Sequence, residues 1–275
     1  MKLMSLFRNV KFLLLSIVFL LYLLIWLYLN LVIQGDNNYS GLFTDSYGII
    51  AALGGIIGIS ISKNWGGTKS VIGKAILAFS FGLIFNFLGQ LSYAIYHQIY
   101  KVENPYPSFG DIFYIGNIFL YIVGGWLIAT AAGSKTILKT FISKKIIAIF
   151  FPIIMVLTSY TFFLRSYEFN WENPTIIFLD FGYPIGPAIY VSIAILAYYL
   201  SKDILGGIMK NRVILIIVAL VLQYISDTVF MYRTFQETWQ PAGISDLLYI
   251  IAYFLMSVAI LQFDNIFNWI KSQKK

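Results

Sequence analysis

Eight apolar runs limit what this chain can fold into. A membrane-spanning helix needs about 20 mostly apolar residues. Runs that meet or approach this length lie at Phe12–Ile33, Asp45–Ile61, Val71–Tyr100, Asp111–Ala132, Ile146–Leu164, Thr175–Leu200, Val213–Tyr232 and Asp246–Phe263. The expected fold is all-α, an integral membrane bundle of eight spans. Composition agrees: 11% of residues are charged and mean hydropathy is +0.80, against roughly 25% charged in a soluble domain. So few charges cannot cover a water-exposed surface, which excludes a soluble enzyme, a disordered tail and a nucleic-acid module. The chain has no cysteine, so disulfides, thiolate metal sites and Cys nucleophiles are excluded.

The first run follows Lys2, Arg8 and Lys11, as the core of a signal peptide would. It is 22 residues long and no small-residue cleavage site follows, so it is expected to stay as an anchor. With the N-terminus in the cytoplasm and eight crossings, 16 of the 19 basic residues fall on the cytoplasmic side. Only Lys101, Arg165 and Arg233 fall outside, as the positive-inside rule requires. Both termini are expected in the cytoplasm, and the location is the cell membrane. The net charge of +7 then serves topology and contact with anionic lipid headgroups, and no nucleic acid is needed to explain it.

Residues 111–123 align with residues 246–258 at an offset of 135, with identity at six of 13 positions, including Asp111/Asp246 and Tyr114/Tyr249. The same offset pairs Asp45 with Asp180. Each copy would hold four spans, an even number, so the repeat is expected to be parallel, about an axis along the membrane normal. One integral domain over 1–275 is expected, with repeats at about 10–133 and 145–263 and a short tail at 264–275.

Polar residues gather at one depth. Asn86, Gln90, Ser92, Tyr93, His97 and Asp111 come from the third and fourth runs; Gln223, Tyr224, Asp227, Arg233, Asp246 and Tyr249 come from the last two. Asp45, Asp111, Asp180 and Asp246 lie near helix starts, where an acid caps free N–H groups. Asp227 lies about five residues inside its span, too deep to cap. A carboxylate there must face a partner, with Arg233 as one choice, or a water-filled interior. One histidine and no cysteine leave only oxygen ligands for a metal, so neither a metal nor a cofactor is expected. Ser92, His97 and Asp111 form a Ser–His–acid triple of a kind that any chain of this size offers. Pro184 and Pro187 remove backbone donors inside the sixth run and are expected to kink or interrupt it.

The block Lys63-Asn64-Trp65-Gly66-Gly67, then Gly89-Gln90-Leu91-Ser92-Tyr93, then Pro107-Ser108-Phe109-Gly110-Asp111-Ile112-Phe113-Tyr114 resembles the polytopic membrane-sensor modules attached to prokaryotic histidine kinases and diguanylate cyclases. Tyr183-Pro184-Ile185-Gly186 matches the element that enters the sixth helix of those modules. Two positions depart from the pattern: Gln90 replaces an expected carboxylate, and Pro187 replaces a frequent Asp. The resemblance implies a non-enzymatic sensor. Only 12 residues follow Phe263, so its output is expected to pass to a cytoplasmic or membrane protein partner. Ser226-Asp227 and the eight-helix count also resemble lysoplasmalogenase-like membrane hydrolases, in which Asp227 would activate water. A transporter or a structural subunit of a membrane complex is a third reading. The sensor reading places Gln90, Tyr93, His97, Tyr183, Tyr224 and Asp227 around an outer-leaflet cavity. Carboxylate and aromatic groups there suit a cation, a small amphiphile or a lipid headgroup.

Overall fold

The computed structural model describes residues 9–34, 37–102, 105–131, 150, 153–165, 167, 169, 171–201 and 207–273. Its elements are α1 (Val10–Ile33), α2 (Asn38–Asn64), α3 (Val71–Tyr100), α4 (Phe109–Ala131), α5 (Ile153–Phe162), α6 (Pro174–Ser201), α7 (Gly207–Phe235) and α8 (Ile244–Gln273). No strand occurs among the described residues. All but α5 are long and apolar enough to cross a membrane, and the chain is a multi-pass helical membrane protein. The run expected at Ile146–Leu164 lies partly outside the described residues, and α5 is its described part.

Side-chain caps set several boundaries. Asn9 accepts from the Lys11 N–H, Asn37 from those of Tyr39 and Ser40, and Ser70 from that of Gly73, each satisfying donors that a helix start leaves free. The Asn37 cap starts α2 seven residues before the expected Asp45, which lies inside the helix just ahead of a turn at Tyr47-Gly48. The polar residues Asn38, Ser40 and Thr44 hide this segment from a hydropathy reading. Gly66 ends α2 at a φ of +85°, a left-handed conformation that costs a glycine little. α6 runs unbroken through Pro184 and Pro187, contrary to an interruption. Membrane bundles tolerate proline because neighbouring groups and small local adjustments serve the backbone. The carbonyls freed here are those of Asp180 and Tyr183, and the Ser159 hydroxyl of α5 donates nearby, to the Pro184 carbonyl at 3.0 Å.

Six helices close a ring in the order α2, α3, α4, α6, α7, α8 and back to α2. α1 packs outside it, on α8 and α2. Small residues allow the close approaches. A Cβ on Gly54 would lie 1.8 Å from Ser257 Oγ, and one on Gly186 would lie 2.4 Å from Ile118. α4 and α6 run parallel, since Asp111 meets Tyr183 and Gly125 meets Ile193 farther along both. The end of α4 at Ala131 and the start of α6 at Pro174 therefore lie at opposite ends of the bundle, and α5 lies between them in sequence. Lys11, Asn64 and Asp264 meet at one end, and the helix-start acids lie at the opposite end.

Candidate functional site

Asp227 projects from α7 into the bundle, where its carboxylate takes three neutral donors. Gln223, one turn earlier, donates Nε2 to Oδ1 at 3.0 Å, and the Tyr249 phenol from α8 donates to the same oxygen at 2.9 Å. Tyr190 from α6 donates to Oδ2 at 3.3 Å. Arg233 is not among these partners. It lies six residues on, roughly 1.7 turns, and so leaves α7 from a different face.

Asp111 and Asp246 occupy the third position of α4 and α8, and each does more than cap. Asp111 Oδ2 accepts from the Ser108 N–H at 2.5 Å, and Oδ1 accepts the Tyr183 phenol of α6. Asp246 Oδ2 accepts from the Ala242 N–H at 2.9 Å and from the Thr44 hydroxyl of α2 at 2.6 Å. Both acids thus fix a helix start and tie it to a parallel neighbour. Tyr249, the donor to Asp227, follows Asp246 by three residues on α8. The α6 partners of Asp111 and Asp227, Tyr183 and Tyr190, lie seven residues apart, so the three clusters form a polar layer about two helical turns thick.

The other expected residues separate within this layer. Gln90 is buried and donates Nε2 to the Thr44 carbonyl, while its Oε1 has no hydrogen-bond partner. His97 Nδ1 meets Asp45 Oδ1 at 2.9 Å, and Gln98 donates to Oδ2 at 2.8 Å. The Tyr93 ring lies 6.3 Å from His97 and 6.1 Å from Tyr114. Tyr224 packs against the apolar core rather than with the donors to Asp227. Asp180 takes phenols from Tyr106 at 2.5 Å and Tyr167 at 2.8 Å. Burial, then the Asp180 carboxylate, pushes the Tyr106 phenol up from its ordinary value, so it stays a donor at neutral pH. The Ser–His–acid triple does not assemble: Ser92 donates to the Leu88 carbonyl, and His97 and Asp111 have separate partners.

Sequence reasoning missed Thr44 and Tyr190. A tyrosine deep in an apolar span needs a partner for its hydroxyl, and that signal points from Tyr190 towards an intramembrane acceptor such as Asp227. Two cavities lie beside this layer. One of about 100 Å³ sits where Asn30, Gln34 and Ser40 meet the start of α8; the other, about 370 Å³, is an apolar groove between α4 and α6. Compared with known families, curated proteins and solved structures, the chain finds no match.

Proposed function

We propose that this is a non-enzymatic, sensor-like membrane protein that binds a small cation or cationic amphiphile at Asp227. The observation that carries this reading is the charge balance at Asp227. All three of its hydrogen-bond partners are neutral, and no ion pair reaches it among the described residues. A carboxylate inside a membrane bundle needs a partner or water. A cation supplies the missing charge, and the tyrosine rings supply cation–π faces. Binding shifts the packing of α7 against α6 and α8, and a cytoplasmic or membrane partner reads this at residues 63–74 and 202–212. The ligand must prefer one packing state, since equal affinity for both transmits nothing.

In this reading the chain is a parallel duplication of a four-helix unit with both termini in the cytoplasm. Three observations support the duplication. The contacts α2–α3, α3–α4 and α4–α6 are matched by α6–α7, α7–α8 and α8–α2. Asp111 and Asp246 each tie a helix start to the parallel neighbour. Gly58 meets Ile260, and their counterparts at the 135-residue offset, Ile193 and Gly125, also meet.

The test measures tetraphenylphosphonium binding to purified protein by calorimetry and incubates the same protein with lysophospholipids and lysoplasmalogens. Saturable binding that Asp227→Asn weakens about tenfold or more, with no product released, is expected. Asp227-dependent release of a cleaved headgroup would overturn the reading in favour of the hydrolase. Binding indifferent to Asp227→Asn would overturn it outright.

A further inference from the structure

α1 docks in the groove between α2 and α8 through an aromatic stripe. Phe19 stacks on Phe254 with ring centroids 4.2 Å apart, Tyr22 tilts against Phe43 at 5.8 Å, and the Tyr22 hydroxyl donates to the Ser46 carbonyl. Nearer the α8 start, Trp26 donates to the Gly243 carbonyl. The 135-residue offset carries Phe254, Phe43 and Ser46 onto Phe119, Phe178 and Phe181. These three residues line the apolar groove of about 370 Å³ between α4 and α6.

Among the described residues the two grooves differ in what covers them: α1 lies along the first, while the second meets the rings of Tyr167 and Phe169 at Phe181. Phe43, under α1, is 3% exposed, whereas Phe178 is 55% and Phe119 58% exposed. α5 does not stand where α1 stands. It meets α6 at Pro184 and Ser192, whereas the groove is lined on α6 by Phe178, Gly182 and Ile189.

We propose that the α4/α6 groove is a docking site for one apolar transmembrane helix of a partner protein, received as α2 and α8 receive α1. The proposal rests on the duplicated architecture and is independent of ligand binding at Asp227. The occupant is an apolar helix with aromatic side chains at i, i+3 and i+7, the spacing of Phe19, Tyr22 and Trp26, which puts them on one face. A second copy of this chain suits the groove less well. Its α1 is already docked, and its remaining α1 face would make a head-to-tail contact, which closes only as a ring and otherwise runs into filaments. An aromatic ledge offers a helix fixed ring contacts that a flexible acyl chain does not hold.

The test uses the full chain in phosphatidylcholine vesicles with benzoylphenylalanine in place of Phe119, and a synthetic helix of residues 9–34 as the probe. Illumination is expected to give a saturable adduct with that peptide. A peptide with Leu at positions 19, 22 and 26 is expected to bind about tenfold more weakly. Ile189→Trp fills the groove and is expected to remove the adduct, while Asp227→Asn leaves it unchanged. Equal capture of both peptides, adducts with phospholipid alone, an internal cross-link to residues 153–165, or a product of twice the chain mass would each overturn the proposal.

Discussion

α3 and α7 both carry a polar pair one helical turn apart, Asn86 with Gln90 and Gln223 with Asp227, and the two pairs are solved differently. On α3 the amides meet neutral groups, the Asn117 amide and the Thr44 carbonyl. On α7 the second member is a carboxylate, and phenols converge on it from α6 and α8. The α3 pair behaves as glue between helices, the usual task of an intramembrane amide. The α7 pair holds an acid whose hydrogen-bond partners are all neutral, and the proposed function rests on that acid. Two similar positions in one ring are thus satisfied in different ways.

The comparison breaks if the two helices respond alike to losing their polar groups. Asp227→Leu strands two phenols and the Gln223 amide inside the bundle. Each stranded group costs about 1–3 kcal/mol, so unfolding in detergent is expected to show a loss of about 3 kcal/mol or more. Gln90→Leu strands only the Thr44 carbonyl on one side and also removes an unpartnered Oε1, so its loss is expected near 1 kcal/mol. Equal losses would mean that the two pairs are tied into the bundle to the same degree, and the contrast between them would fail.

A finer cut separates the two phenols. Tyr249 donates at 2.9 Å and Tyr190 at 3.3 Å, and hydrogen bonds weaken as they lengthen past the usual range. Tyr249→Phe is expected to cost about 1.5 kcal/mol and Tyr190→Phe about 0.5 kcal/mol, read from the same unfolding curves. The reverse order would place the stronger hold on α6 rather than α8.

Long apolar runs made seven span-length helices legible in the sequence, and the depth of Asp227 made its need for partners inside the bundle legible. The shared Asp and Tyr at Asp111/Asp246 and Tyr114/Tyr249 pointed to helix starts that the structure does use. Partners were not legible. Tyr190, Thr44 and Tyr183 sit on helices far away in sequence, and a period of 3.6 residues says which face a side chain takes but not which neighbour stands there. The start of α2 was missed because Asn38, Ser40 and Thr44 lower its hydropathy while Asn37 caps it. His97 was expected beside Asp227 because both lie at similar depth. It meets Asp45 instead, from within a π-helical turn at Tyr96–Tyr100 that a run of polar letters does not reveal.

The effect expected nearest to zero, that of turning Asn86 and Asn117 together into leucine, is also the one that separates glue from site. Asn117 Nδ2 donates to Asn86 Oδ1 at 2.9 Å, while Asn86 Nδ2 and Asn117 Oδ1 have no hydrogen-bond partner. One bond therefore links two amides that are each half satisfied, inside a layer where every stranded group counts. Interhelical side-chain bonds in membranes average about 0.6 kcal/mol by double-mutant cycles, and that is the coupling expected between Asn86→Ala and Asn117→Ala. Converting both to leucine removes the stranded amide groups with the bond, so the double variant is expected within about 0.5 kcal/mol of the parent or above it. Tetraphenylphosphonium affinity is expected to stay unchanged in that variant. A coupling above about 2 kcal/mol exceeds what one such bond supplies, and together with lost cation binding it would place the α3 amides in the site beside Asp227 and dissolve the contrast between the two helices.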